Sequence, residues 1–353
     1  MGIRDEIRDD QAESAAVVLA RIKRERDIAQ KEKMRLSTEL DAMKQALALI
    51  EKIEGSMIEP PKWLTPKKPK NSAATLVAML SDTHFDEMVN PDEINGLNAY
   101  NREIASMRLE KWAVNLIKMA RHYLAGIEYQ GIMVILGGDI LSGDIHDELT
   151  QTNADTMLSS VLFWAQEIGA AIGLLTEEFG SCHVVSVMGN HGRTTRKPRA
   201  KLRAKTNFDW LIAKMIERHF SADKRITFQI PESADALAKV YSTGLLITHG
   251  DQVNGGGGIG GIYPPIMRLR ARKQQNHQAM GSGFDSLMMG HWHSYLSTPT
   301  LTINGSMKGF DEYAAINNFA FEPPQQAMLI VTPERGITIH APIFCQDRKR
   351  EGW

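Results

Sequence analysis

The stretch Phe284-Asp285-Ser286-Leu287-Met288-Met289-Gly290-His291-Trp292-His293 sets an apolar run against a glycine and then offers two histidines one residue apart. In an extended chain, side chains at i and i+2 point the same way, so His291 and His293 would share one face at a strand's end. Two converging imidazoles suggest a metal, although a lone His-x-His is more often a pair of unrelated surface residues. The same grammar recurs four more times. Ala74 to Leu80 runs into Asp82-Thr83-His84, Gly131 to Leu136 into Gly138-Asp139, His183 to Met188 into Gly189-Asn190-His191, and Gly244 to Thr248 into His249-Gly250-Asp251. Five apolar runs thus end in residue types that ligate metals.

These runs sit in a chain of 353 residues, long enough for a large core and for more than one structural unit. A net charge of -1 gives no global case for a nucleic-acid partner, so any such case must come from local clusters. Cys182 and Cys345 make neither a disulfide framework nor a Cys-x-x-Cys pair. No apolar stretch is expected to be long enough to cross a bilayer, and the N-terminus is charged rather than signal-like. We therefore expect a cytoplasmic chain with no membrane partner.

Residues 1–54 are rich in Glu, Lys, Arg, Ala and Leu, with no proline and with Gly2 as the one glycine, which is the composition of a long helix. Leu36, Leu40, Met43, Leu47 and Ile50 alternate spacings of four and three, a coiled-coil seam that predicts a homo-oligomer; a solvated helix is the alternative. Residues 55–73 carry Pro60, Pro61, Pro66 and Pro69 among lysines and read as a linker or a wrapped arm. A globular domain is expected over residues 74–345, followed by a loose charged tail at 346–353. Within the domain the strand-like runs alternate with helical spacing over residues 98–125, 153–179 and 207–220. Short strands follow at 296–303, 327–332 and 336–343, so the fold class is α/β.

In α/β folds the carboxyl ends of strands line the crevice where ligands bind, so loops distant in sequence can meet there. Asp82, His84, Asp139, Asn190, His249, His291 and His293 together form an oxygen-and-nitrogen set sufficient for two divalent cations, with Asp139 as the natural bridging carboxylate. Each block alone also has a plain reading as a helix cap or a turn.

In their order these blocks resemble the metallophosphoesterase family, also called calcineurin-like phosphoesterases. That pattern, Asp-x-His, Gly-Asp, Gly-Asn-His, a later His and Gly-His-x-His, reads here as Asp82-Thr83-His84, Gly138-Asp139, Gly189-Asn190-His191, His249 and Gly290-His291-Trp292-His293. The resemblance implies a sandwich of two mixed β-sheets flanked by helices, here preceded by the long N-terminal helix. It implies that Asp82, His84 and His293 hold one metal, that Asn190, His249 and His291 hold the other, and that Asp139 bridges. Mn2+ leads, with Mg2+, Zn2+ or Fe2+ as alternatives. It further implies hydrolysis of phosphodiesters by a metal-activated water, and a catalytic His191 that faces the substrate, stabilising the transition state or protonating the leaving oxygen.

The chain departs from the pattern in places that bear on the branch. Gly192-Arg193 follows Asn190-His191 where many members carry an acidic residue, and no Asp-Arg-Gly follows Gly138-Asp139, which disfavours the protein phosphatases. Ser142 and Asp144 only loosely imitate the second aspartate of the repair nucleases, and His249-Gly250-Asp251 stands in place of their His-Gly-His. The DNA repair exonucleases remain the nearest in character. Arg193 to Lys205 contains no acidic residue, and Arg268 to Lys273 is a second basic run. Both could grip the phosphates of a polyanion or be solvated faces. Nucleic acid is thus the expected substrate, contacted by Arg193, Arg196, His146 and Tyr263; a small nucleotide or other small phosphoester is the alternative. Trp292 is expected to face the core, and Gly255 to Gly261 to form a phosphate cradle or a lid.

Overall fold

The computed structural model describes residues 60–66, 73–253 and 261–353, together with residues 23, 26, 27, 30, 31 and 33–37. The chain divides into two compact units, residues 1–55 and 56–353. In the first, the described residues are helical, with Met34 and Leu36 exposed. Leu40, Met43, Leu47 and Ile50 of the expected seam, residues 67–72 and residues 254–260 of the glycine patch lie outside the described residues.

The strands of the second unit are β1 (Ala73–Leu80), β2 (Glu128–Leu136), β3 (Cys182–Ser186), β4 (Ile226–Gln229), β5 (Asp235–Val240), β6 (Thr243–Thr248), β7 (Ser286–Met289), β8 (Leu296–Thr298), β9 (Leu301–Ile303), β10 (Gln325–Thr332) and β11 (Gly336–Phe344). Its main helices are α1 (Arg102–Lys118), α2 (Met157–Phe179), α3 (Phe208–His219), α4 (Tyr263–Ala279), α5 (Glu312–Ile316) and α6 (Arg348–Glu351). One sheet runs β11-β10-β1-β2-β3-β4, parallel from β1 to β4 and antiparallel at β10 and β11. The other runs β5-β6-β7-β9-β8, parallel through β6, β7 and β9, with an antiparallel strand at each edge. The fold is therefore two mixed sheets flanked by helices, as the sequence led us to expect.

Every residue of β1 is buried, because both faces of its sheet are covered. Val77 and Met79 join Met133, Ile135, Val185 and Val187 in the space between the sheets, where they meet Leu245, Ile247 and Met288 of the second sheet. On the outer side α2 packs on β2 and β3, and α1 and α3 pack on α2. The second sheet turns Leu246, Leu287, Met289 and Leu301 to Ile266 of α4. This four-layer arrangement brings the C-terminal ends of β1, β2 and β3 opposite those of β6 and β7.

Several boundaries differ from the sequence expectation. Residues 296–303 form a hairpin, β8 and β9, rather than one strand, since Pro299 cannot donate to a ladder and starts the turn. Within the proline-rich stretch Leu64 is fully buried in the inter-sheet core, and its carbonyl accepts the N–H of Tyr241 at 2.6 Å, so this part is a wrapped arm. α2 is long and apolar enough, by length and composition, to cross a membrane, contrary to expectation; its face of Val161, Trp164, Ile168, Ile172 and Leu175 is buried in the fold. The C-terminal tail is docked, not loose. Arg108 on α1 is fully buried, and a buried guanidinium requires a counter-charge, which Glu351 supplies at 2.9 Å.

Candidate metal centre

Asp82 and His84 follow β1, Asp139 follows β2, Asn190 and His191 follow β3, His249 follows β6, and His291 and His293 follow β7. Glycines let these loops close. A Cβ on Gly189 would lie 2.1 Å from Oδ1 of Asp139, and one on Gly290 would lie 2.2 Å from Oδ2 of Asp82, so neither position admits a side chain. The ligand residues themselves adopt left-handed backbone, with φ of 51° at Asp82, 44° at His84, 49° at Asp139, 73° at His291 and 51° at His293. Each such residue costs of order 1–3 kcal/mol, and this concentration of strain marks a functional site. The loops are then laced to one another. Asp82 accepts the backbone N–H of His291 at 2.7 Å, and Asp139 accepts that of His191 at 2.7 Å.

Candidate ligand atoms of Asp82, His84 and His293 lie within 4.8 Å of one another, as do those of Asp139, His249 and His291. Asp139 also forms such a group with His84 and His191, so its carboxylate reaches toward both clusters. Asn190 completes the set, its Oδ1 standing 3.2 Å from Nε2 of His249. The protonation pattern suits metal binding. Nδ1 of His249 lies 2.9 Å from the Gly137 carbonyl, which only accepts, so Nδ1 carries a hydrogen and Nε2, 2.9 Å from Asp139, is the nitrogen on which a metal would replace a proton. Nδ1 of His84 stands 3.4 Å from Glu87, and its Nε2 faces Nε2 of His293 at 3.1 Å. Carboxylate oxygens, an amide oxygen and imidazole lone pairs thus converge, and among the described residues no lysine or arginine pairs with Asp82 or Asp139. That donor set fits borderline divalent cations such as Mn2+, Zn2+ or Fe2+.

Electrostatics describe the same deficit of positive charge. Burial, with Asp139 nearby, raises Asp82 to about 7. Burial disfavours a charged Asp139 too, yet His249 and His191 hold it well below the usual carboxylate range. Burial works against an imidazolium at His249, but the adjoining Asp139 carboxylate outweighs it and lifts the pKa to about 10. Burial, Lys308 and His191 lower His84 to about 4; burial and His249 lower His291 to about 4; burial and His84 lower His293. These three rings are held neutral, the form that ligates.

A cavity of about 430 Å³ opens on this cluster, lined by His84, Asp139, Asn190, His191, His291 and His293 among others. His191 donates Nδ1–H to the Ser142 carbonyl at 2.6 Å, which leaves Nε2 as its other ring nitrogen. His146 lines the cavity as well, its ring 5.7 Å from that of His191. Arg193 turns into the fold, donating to the carbonyls of Asn190, Thr195 and Arg196, while Arg196 pairs with Asp147 at the surface. Of the rest of that run, Arg203 pairs with Asp251 and Lys205 with Glu232; Lys197, Arg199 and Lys201 are exposed. In the second run Lys273 pairs with Asp235, and Arg270 donates to the Thr300 carbonyl. Tyr263 opens α4, partly exposed, and is not among the residues lining the cavity. Trp292 packs on the outer cluster of the second sheet, as expected, and also edges the cavity.

Four residues were not singled out from the sequence. The buried carboxylate of Asp209 accepts the N–H groups of Asp139, Ile140 and Gly189 at 3.0, 3.2 and 2.9 Å, and so clamps two ligand loops together. Asn207 caps α3 and also donates to the Gly189 carbonyl at 2.8 Å; the Asn-x-Asp at a helix start was the available signal. Lys308 and Glu87 pair at 2.7 Å, both on the cavity wall, with Glu87 reaching His84.

No protein-family model matches the chain, and no curated protein matches it. Among solved structures, it is similar to a Streptococcus pneumoniae protein described as a predicted phosphoesterase, at 10% identity and TM-score 0.27, over 77% of this chain and 98% of that one. It is similar to zinc-complexed Vps29 from Entamoeba histolytica at 11% identity and TM-score 0.29, over 77% of this chain and 99% of the other. A third is a Staphylococcus aureus protein provisionally named a 5'-nucleotidase, at 9% identity and TM-score 0.35, covering 78% of this chain and 55% of that one. The functional reading rests on the site's own geometry.

Proposed function

We propose that the protein is a dinuclear metal-dependent phosphoesterase that hydrolyses phosphodiester bonds, with nucleic acid as its substrate. The observation that carries this reading is the convergence of two aspartate-histidine clusters, within 4.8 Å inside each, on one cavity at the ends of five strands. Asp82, His84 and His293 would hold one cation, Asn190, His249 and His291 the other, and Asp139 would bridge. Such cations supply an activated water and offset charge on the phosphate oxygens. His191 binds beside them. Because its Nδ1–H is committed to Ser142, Nε2 is the atom that would meet the substrate; as the imidazolium, with a second proton on Nε2, the ring would pass that proton to the leaving oxygen and end as the neutral Nδ1–H form. Exposed Arg199 supports a polyanionic substrate, since it edges with Arg193 a small cavity that shares Asn190 with the candidate ligand cluster, and Lys197 and Lys201 are exposed on the same run.

A small nucleotide ester is the second reading. It is favoured by the ion pairs of Arg196 with Asp147, Arg203 with Asp251 and Lys205 with Glu232, which leave fewer unpaired cations for a long backbone. The deciding experiment strips the protein of metal, reloads it with Mn2+, Zn2+ or Mg2+, and assays DNA, RNA, bis-p-nitrophenyl phosphate and p-nitrophenyl phosphate. We expect two equivalents of metal and metal-dependent diester hydrolysis. Hydrolysis unaffected by metal removal would sink the reading; cleavage of small esters without any nucleic acid would select the second.

A further inference from the structure

The carboxylate of Asp311 joins the metal cluster to a surface feature. One oxygen accepts the N–H of Ala314 at 2.7 Å and caps α5, while the other receives the ammonium of Lys308. Lys308, only 3% exposed, holds Glu87 at 2.7 Å, and Glu87 stands beside His84. α5 is pinned from the other side as well, since Glu312 accepts the backbone N–H of Asn90 at 2.7 Å. The helix carries Tyr313. Beyond it the chain turns back at Asn318, left-handed at φ 55°, and the N–H of Phe319 donates to the Ala314 carbonyl at 2.9 Å. The rings of Tyr313 and Phe319 end 5.8 Å apart, edge to face.

Both rings line the same cavity as His84, Asp139, His191 and His293, yet Tyr313 is 65% and Phe319 52% exposed. Leaving large aromatic side chains in water forgoes the gain of burying them. Here they are held open by capped backbone and buried ion pairs, not by loose chain. Exposed rings on a rigid mount beside a site that fits phosphate are suited to take the π-face of a substrate.

We infer that Tyr313 and Phe319 form a shelf that stacks a nucleobase while its adjoining phosphate lies at the metal ligands. The inference rests on the phosphoesterase reading and names the part of the substrate that reading leaves open. A base satisfies both halves of the cavity, since it is planar, apolar on its faces, and joined through one sugar to an anion. A base can come from a strand or from a free nucleotide, so the test has two arms.

The full chain, loaded with Mn2+, is given two substrate pairs. One is a single-stranded oligonucleotide and its counterpart with abasic residues flanking the scissile bond. The other is a nucleoside p-nitrophenyl phosphodiester and methyl p-nitrophenyl phosphate. Wild type should prefer the base-bearing member by roughly 5- to 150-fold in kcat/KM, the range set by one stacked base. Tyr313→Ala with Phe319→Ala should abolish the preference while sparing the base-free substrates, and Tyr313→Phe should retain it. Preference in the first pair alone points to a strand, and in the second alone to a free nucleotide; either supports the shelf. Equal rates in wild type, a preference that survives the double substitution, or an equal loss on all substrates would overturn the shelf and leave the phosphoesterase reading standing. No hydrolysis with any metal would remove that reading and the shelf with it.

Discussion

Nε2 of His84 and Nε2 of His293 face each other across 3.1 Å, one beyond the end of β1 and the other beyond the end of β7, so the two sheets meet through a pair of imidazole nitrogens. Two such nitrogens gain little from each other and much from a shared cation. His293→Ala should therefore lower bound divalent metal and activity together, and Asp139→Asn should remove both more completely. His191→Ala should keep its metal while losing roughly 10²–10⁴-fold in rate. Elemental analysis beside kinetics checks this; metal loss in His191→Ala equal to that in Asp139→Asn would make His191 a ligand.

Asp209 serves three backbone donors with one carboxylate. Asp209→Ala would orphan all three, and each buried unsatisfied N–H costs about 1–3 kcal/mol. Asp209→Asn keeps one carbonyl-type acceptor and should fall between. We expect denaturant midpoints in the order wild type, Asn, Ala, with metal content following the same order; unchanged metal content in Asp209→Ala would show that the loops hold without the clamp.

The docked tail makes a prediction about acid stability. Burial would raise the Glu351 carboxyl, but the Arg108 guanidinium outweighs it and holds the pKa below its ordinary value of 4.5. A carboxyl lowered in the folded state stabilises fully above its unfolded pKa, and the contribution is lost as pH falls through the folded value. Glu351→Ala should thus cost about 3–5 kcal/mol near neutral pH, where it leaves Arg108 buried and unpaired. The gap to wild type should narrow below pH ~4. Chemical denaturation at both pH values decides the matter, and a gap independent of pH would exclude the ion pair as its source.

If the loop from Arg193 to Lys205 tracks a nucleic-acid backbone, binding must weaken steeply with salt as counterions are released. Replacing the exposed Lys197, Arg199 and Lys201 with glutamine should flatten that slope and leave hydrolysis of a small diester nearly intact. Substituting Arg193 is a different experiment, because its guanidinium supports the Asn190 carbonyl and its loss should disturb the ligand loop itself. Wild-type binding that ignores salt would remove the strand as substrate.

The strand-glycine-ligand pattern made the fold and the cluster of candidate ligands legible, because each candidate lies within a few residues of the apolar run that positions it. Period-two and helical spacing do the rest locally. What stayed hidden depends on partners far along the chain. Asp209 reads as a helix cap companion until Asp139, 70 residues earlier, is seen to lean on it. Lys308 and Glu87 are ordinary charges in sequence and become a buried pair 221 residues apart. The tail misled for the same reason: a charged end looks solvated unless Arg108 is known to be sealed inside. The basic run shows the converse, since a string of cations does not reveal which ones the fold has already engaged.

The candidate ligands begin at Asp82 and end at His293, with all the others between them in the chain. No shorter segment contains the whole set. A chain still emerging from synthesis, or one that has formed only its first sheet, would be chemically inert however well folded that part was. Hydrolytic competence would switch on in one late event, when β7 takes its place and His291 and His293 arrive. Onset of activity would then time the docking of the second sheet against the first.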